Sequence, residues 1–158
     1  MRAKYALSMK LTSFTEYSLR VLVYLAADPA RRATISEVAA AFDLSENHLT
    51  KVVHFLGKEG WLANVRGKGG GMTLAMPPER VQIGQVVRAA EGEAMPAACF
   101  GSAPKRCSIV RICRLRGVLQ EGVDAFYAVL DRYTLADLTQ NRSALAKVLH
   151  LHPAPLRA

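Results

Sequence analysis

Apolar positions in the first half of the chain recur every three or four residues, broken at points where the chemistry demands a stop. Phe14, Tyr17, Val21, Leu22, Tyr24 and Leu25 predict a first helix that is apolar round most of its circumference and therefore largely buried. Asp28-Pro29 breaks it just past Ala27. Ser13 and Glu16 fit the S-x-x-E capping box, in which each side chain satisfies an orphan amide of the first turn. Ile35, Val38, Ala39 and Phe42 mark a short second helix opened by Thr34 or Ser36. Asp43-Leu44 makes a tight turn, and Ser45 is placed to cap a third helix running to about Lys58, with Leu49, Val52, Val53 and Leu56 inward.

Two short helices joined by so brief a turn predict a helix-turn-helix. The second of the pair presents its first-turn side chains to a DNA major groove. Here those are Ser45, Glu46, Asn47 and His48, with Lys51 one turn on. Asn47 can read adenine, and Glu46 can accept from cytosine N4. Gly60 stops the helix; residues 61–66 and 72–75 read as strands around the glycine-rich turn 67–71. This is a β-hairpin wing, in which Arg66 and Lys68 offer phosphate or minor-groove contacts and glycines such as Gly69 allow close backbone approach. A nucleotide-binding loop is the competing reading, but a P-loop needs Gly-Lys-Ser/Thr leading into a helix, and Met72-Thr-Leu leads into a strand.

Residues 83–90 predict a short amphipathic helix with Ile83, Val86 and Val87 inward. From about Ser108 a long helix is expected. Its seam of Ile112, Leu115, Leu119, Val123, Phe126, Leu130 and Tyr133 suits a partner helix. About twenty-five residues make it nearly 40 Å long, more than the winged region can cover, so a homodimer is expected, with intramolecular packing as the alternative. Thr134 caps one further turn over 135–138, and 141–158 reads as a tail in which His150 and His152 belong to the terminus rather than to a metal site. The predicted fold is thus mainly α: a winged helix-turn-helix with a β-hairpin wing, plus a long dimerisation helix. Its divisions are an extension at 1–8, a DNA-binding domain at 9–92, a cysteine loop at 93–110, the dimerisation helix at 111–140 and the tail at 141–158.

The cysteines add chemistry to this frame. All three, Cys99, Cys107 and Cys113, fall within fifteen residues, with seven residues between the first two and five between the second pair. That spacing is too wide for the C-x-x-C pairs of common zinc sites, and an odd count leaves one thiol outside any disulfide scheme. Thiolates suit iron–sulfur clusters, zinc or Cu(I), and Gly101 and Pro104 supply turns that can fold the loop round one centre. Lys105, Arg106, Arg111, Arg114 and Arg116 would offset the charge of a thiolate-bound cluster, or else form a solvated basic loop. Three buried structural thiols are the plain alternative.

The chain has 158 residues, is 51% hydrophobic and carries 21 Lys and Arg against 13 Asp and Glu, a net charge of +8. It can bury a core, and its charge favours a polyanionic partner, nucleic acid first. No apolar run approaches the eighteen or so residues of a spanning helix, and free thiols fit a reducing cytoplasm, so a cytoplasmic protein with no membrane partner is expected. No Ser/His/Asp set, P-loop or paired carboxylates argue for an enzyme. An electron-transfer protein would need neither helix-turn-helix nor wing.

Leu11-Thr-Ser-Phe-Thr, Ser45-Glu-Asn-His48, Val65-Arg-Gly-Lys-Gly-Gly-Gly71 and the following cysteine loop resemble the winged-helix iron–sulfur repressors. Cys113-Arg-Leu-Arg116 and Tyr133-Thr-Leu-Ala-Asp-Leu138 are similar to their nitric-oxide-sensing, NsrR-type branch. The resemblance runs from about Met9 to Leu138. It implies a homodimeric repressor of a palindromic operator that senses nitric oxide through one iron–sulfur cluster per subunit, [4Fe–4S] with [2Fe–2S] as the alternative. It further implies that Cys99, Cys107 and Cys113 ligate the cluster and that a carboxylate near the start of the first helix, here Glu16, completes it from the other subunit. Three departures stand out. The family more often has Asp at position 16, the gap between Cys99 and Cys107 is long, and Glu46 stands where a cation is usual. The sister IscR-type regulators of cluster assembly place a ligand histidine where this chain has Arg116, which cannot ligate. The alternatives are an IscR-like [2Fe–2S] regulator of iron–sulfur assembly and a cluster-free thiol- or zinc-based redox regulator.

Overall fold

The computed structural model describes residues 10–65, 67, 69–92, 100, 108–109 and 111–151. Cys99, Cys107, Arg66 and Lys68 lie outside the described residues.

Helix α1 (Ser13–Ala27) is the spine. Val21, Leu22, Tyr24, Leu25, Ala26 and Ala27 are all buried, and α1 packs against α2 (Ile35–Phe42), α3 (Glu46–Lys58), α4 (Ile83–Glu91), α6 (Leu135–Leu138) and α7 (Arg142–Val148). A helix buried this fully cannot leave polar atoms unmatched. Its buried Ser18 hydroxyl donates to the Phe14 carbonyl at 2.8 Å, and the buried Thr15 hydroxyl lies 3.0 Å from that of Thr12.

The start of α1 corrects the expected capping box. The N-cap is Thr12, one residue earlier than Ser13; its backbone is extended and its hydroxyl accepts from the Thr15 amide at 3.2 Å. Ser13 is already helical, so Glu16 falls a residue too far on to close a box. The reciprocal acceptor comes from the far end of α4 instead: Glu91 Oε1 accepts from the Thr12 amide at 2.8 Å and from its hydroxyl at 3.1 Å. The box forms in full at α2, where Thr34 and Glu37 exchange both bonds. Ser45 stands at the N-cap of α3, but its hydroxyl makes no capping hydrogen bond.

Between α2 and α3, Asp43 takes a left-handed conformation that makes the turn tight. Leu49, Val52, Val53 and Leu56 of α3 turn inward as expected and are buried. Each such side chain contributes roughly 1.5–3 kcal/mol on burial. Phe55 joins α3 to α1 and to the wing through edge-on contacts with Phe14 at 5.1 Å and Trp61 at 6.2 Å.

The wing is the antiparallel pair β1 (Leu62–Val65) and β2 (Gly71–Leu74), in register from Leu62 opposite Leu74 to Val65 opposite Gly71. The loop before α2 adds to it: Ala33 and Met72 exchange backbone hydrogen bonds of 3.1 and 2.8 Å. Gly71 is required at this crossing, because a Cβ there would lie 2.9 Å from the Ala33 carbonyl oxygen.

Helix α5 (Arg114–Leu130) has 17 residues, about 25 Å at about 1.5 Å each. It begins at Arg114, not near Ser108: Ser108 and Ile109 lie in a turn closed by the Ile112 amide on the Ile109 carbonyl at 3.0 Å, and Cys113 is the N-cap. The expected seam therefore loses Ile112 to the turn and Tyr133 to the joint beyond the helix. That joint is stitched to the segment before α4, the Ile83 amide bonding the Tyr133 carbonyl at 3.0 Å and the Leu135 amide the Val81 carbonyl at 2.8 Å. Thr134 caps α6 as expected. The segment read as a featureless tail forms α7, which packs on α1, with Leu149 just past it buried.

Candidate nucleic-acid interface and thiol centre

The fold turns one side of α3 into the core and the other out. Ser45, Glu46, Asn47, His48, Thr50 and Lys51 are all exposed, while Leu49 among them is fully buried. Four residues proposed to meet DNA, Ser45, Asn47, His48 and Lys51, thus share one open face. His48 is steadied by stacking on Tyr17 of α1, with ring centroids 6.5 Å apart and planes 28° from parallel. Gly69 lies exposed at the wing turn with φ +77°, a conformation an L side chain resists. Its carbonyl accepts from Arg32 Nη1 at 3.3 Å. Arg32 is an exposed cation held at the wing that the pattern of the sequence did not single out; its only signal was the Arg31-Arg32 doublet. Arg31 is committed elsewhere, bonded to Tyr24 and paired with Glu37.

Glu16 is exposed on α1 and forms an ion pair with Arg20 one turn later. The Arg20 guanidinium also lies 5.6 Å over the Phe42 ring. The pair edges an open groove of about 510 Å³ whose apolar lining includes Leu11, Leu19, Val23 and Phe42. The Glu16 carboxylate is therefore accessible from outside the subunit. Cys113 is a free, half-buried thiol at the first turn of α5. Arg116, one turn into α5, lies 5.5 Å over the ring of Phe100, which follows Cys99 in sequence. The described members of the expected donor set are a free thiol at the N-cap of α5 and an exposed carboxylate on α1, both of a chemistry that iron accepts. Among the described residues no three cysteine, histidine or carboxylate side chains converge within one chain.

A buried-spine helix, a helix-turn-helix with an open polar face and a hairpin wing together define a winged-helix DNA-binding transcriptional regulator. The chain belongs to the Rrf2 family of iron-dependent transcriptional regulators, whose pattern it matches over residues 11–141. It is 44% identical over 144 residues to the HTH-type transcriptional regulator NsrR of Bacillus subtilis, spanning 90% of this chain and 99% of that one. It is 45% identical over 142 residues to NsrR of Geobacillus kaustophilus, spanning 89% and 97%. The resemblance to NsrR-type regulators is borne out. Among solved structures it resembles Staphylococcus aureus CymR, with a TM-score of 0.64, 27% identity and coverage of 80% and 95%. T. potens IscR shares the fold, with a TM-score of 0.69 at 24% identity and coverage of 86% and 90%. These relatives are regulators, not enzymes. No helix among the described residues is long and apolar enough to cross a membrane.

Proposed function

We propose that the protein is a homodimeric repressor that senses nitric oxide through an iron–sulfur cluster, one per subunit, held by Cys99, Cys107, Cys113 and the partner subunit's Glu16. The cluster, when bound, supplies iron sites with affinity for nitric oxide. The chain's own residues do the rest. Ser45, Asn47, His48 and Lys51 meet the major groove, and Arg66, Lys68 and Gly69 bring the wing to the backbone or minor groove. The exposed seam of α5 pairs two subunits so that their reading helices stand about one DNA turn, about 34 Å, apart on a palindromic operator. Glu16 has two competing partners. Paired with Arg20 it closes on its own helix; released from Arg20 it is free to reach across to the other subunit. A device of this kind works only if the two dimer arrangements differ in DNA affinity.

The observation that carries this reading is the open placement of Glu16 and Cys113. Glu16 is exposed on α1, Cys113 is a free, half-buried thiol at the N-cap of α5, and among the described residues no three such side chains converge, which supports a centre completed by a second copy. An absorption spectrum of anaerobically purified protein, with iron and sulfide counts, tests it. The wild type is expected to be coloured and iron-loaded, Cys107→Ala to lose the chromophore, and Glu16→Ala to alter it. Colourless, iron-free wild type, or a full spectrum in Cys107→Ala, overturns the ligand set.

A further inference from the structure

Among the described residues, helix α5 packs on the winged domain at its C-terminal end. No residue of α5 is buried; Leu115 is 61% and Val118 63% exposed near its start, and its half-buried Tyr127 and Leu130 lie in its last turn, against the core. At that end Arg88 of α4 grips Asp131, the C-cap of α5, with a two-pronged fork: Nη1 to Oδ1 at 2.7 Å and Nη2 to Oδ2 at 2.6 Å. The same guanidinium lies 4.4 Å over the Tyr127 ring. The Asp131 amide bonds the Tyr127 carbonyl at 2.8 Å, so carboxylate and ring are fixed relative to each other. Gly84, one turn before Arg88, makes room: a Cβ there would sit 1.9 Å from Asp131 Oδ1 and 3.1 Å from Arg88 Nη1.

We infer that the Arg88–Asp131 fork, with Gly84 beneath it and Tyr127 beside it, is a positioning clamp that sets the direction of α5 and so the half-site spacing the protein reads on DNA. The inference rests on the paired-subunit reading above. Both side chains are more than two-fifths exposed, so solvent screens the pair and its contribution to stability is modest. A bidentate arginine–carboxylate pair fixes direction as well as distance. A tilt of about 10° at one end of a 25 Å rod moves the other end by about 4 Å, close to the roughly 3.4 Å rise of one base pair. The other end of that rod is Cys113.

The test uses the full chain, purified without air, and a pool of duplexes carrying two inverted random half-sites separated by spacers of graded length. Bound duplexes are sequenced. The wild type is expected to enrich one spacer length. Arg88→Lys keeps the charge but loses the fork; Gly84→Ala forces the carboxylate aside without touching any charge. Both are expected to spread enrichment onto neighbouring spacers and to lower it at the preferred one by roughly tenfold, as linked sites do when geometry denies simultaneous engagement. Affinity for a duplex with a single half-site is expected to stay at the wild-type value, a split that general destabilisation does not produce. Variants that keep the sharp wild-type preference overturn the clamp alone. A wild type with no spacer preference overturns the paired-subunit reading, and the clamp with it.

Discussion

Asn47 and Lys51 share an exposed helix face, but an amide suits a base edge and an ammonium suits a phosphate, and the difference is measurable. A side chain that reads a base edge affects one sequence position, whereas one that meets a phosphate weakens all sequences alike. Asn47→Ala is expected to cost about 1–3 kcal/mol on the preferred operator and to relax preference at one base pair. Lys51→Ala is expected to weaken binding evenly and to reduce the slope of log affinity against log salt by about 1. Fluorescence anisotropy titrations at graded salt check both. A second residue-level prediction concerns Glu37. Burial pushes its carboxyl up, but the Thr34 amide and hydroxyl and the Arg31 guanidinium outweigh that and hold it below its ordinary 4.5. Its folded value is depressed, so its stabilising effect is complete above about the unfolded value and is lost as pH falls through the lower folded one. Glu37→Gln is expected to flatten the loss of stability below pH 4.5, and Thr34→Ala to cost about 1 kcal/mol at neutral pH, both read from urea unfolding.

At the level of elements, the parts that were legible from the residues are those with a period and a stop. α1 and α3 have strong helical spacing closed by Asp28-Pro29 and by Gly60, which takes φ +83°. The wing was legible because its glycines sit where only a turn can use them. Of the proposed DNA face, Ser45, Asn47, His48 and Lys51 followed directly from the capping position. What could not be read has a common cause: the deciding contact is distant in sequence or the local pattern is degenerate. Thr12 and Ser13 are both good N-caps, and nothing nearby selects between them; Glu91, 79 residues away, bonds Thr12. Ile109 and Ile112 continue the spacing of α5 while lying before it, so its start was placed too early. Arg32 is set against the wing by a carbonyl 37 residues on. The exposed face of α5 carries its own prediction. Leu115→Glu with Val118→Glu is expected to leave the helical content intact and give a monomer in sedimentation equilibrium; an unchanged dimer moves the subunit contact elsewhere.

Over the whole molecule, the parts form a short mechanical path. The thiol loop opens α5, α5 is clamped to α4 at its far end, and α4 bonds back through Glu91 to the start of α1, on which the reading helix packs. Glu16 stands one turn into that same α1, beside Arg20. On the proposed reading, a change at Glu16 or Cys113 is expected to reach the reading helix through these packed elements. Two discrete arrangements of such a path give a switch only if DNA binds one of them better.

The most direct measurement is operator binding by anaerobic, iron-loaded protein before and after nitric oxide, with Glu16→Ala alongside. The account predicts tight binding that falls by one to several orders of magnitude on exposure to the gas in the wild type, and a weaker change in the variant. Binding that is unaffected by nitric oxide, or released equally from protein that never held iron, would contradict it.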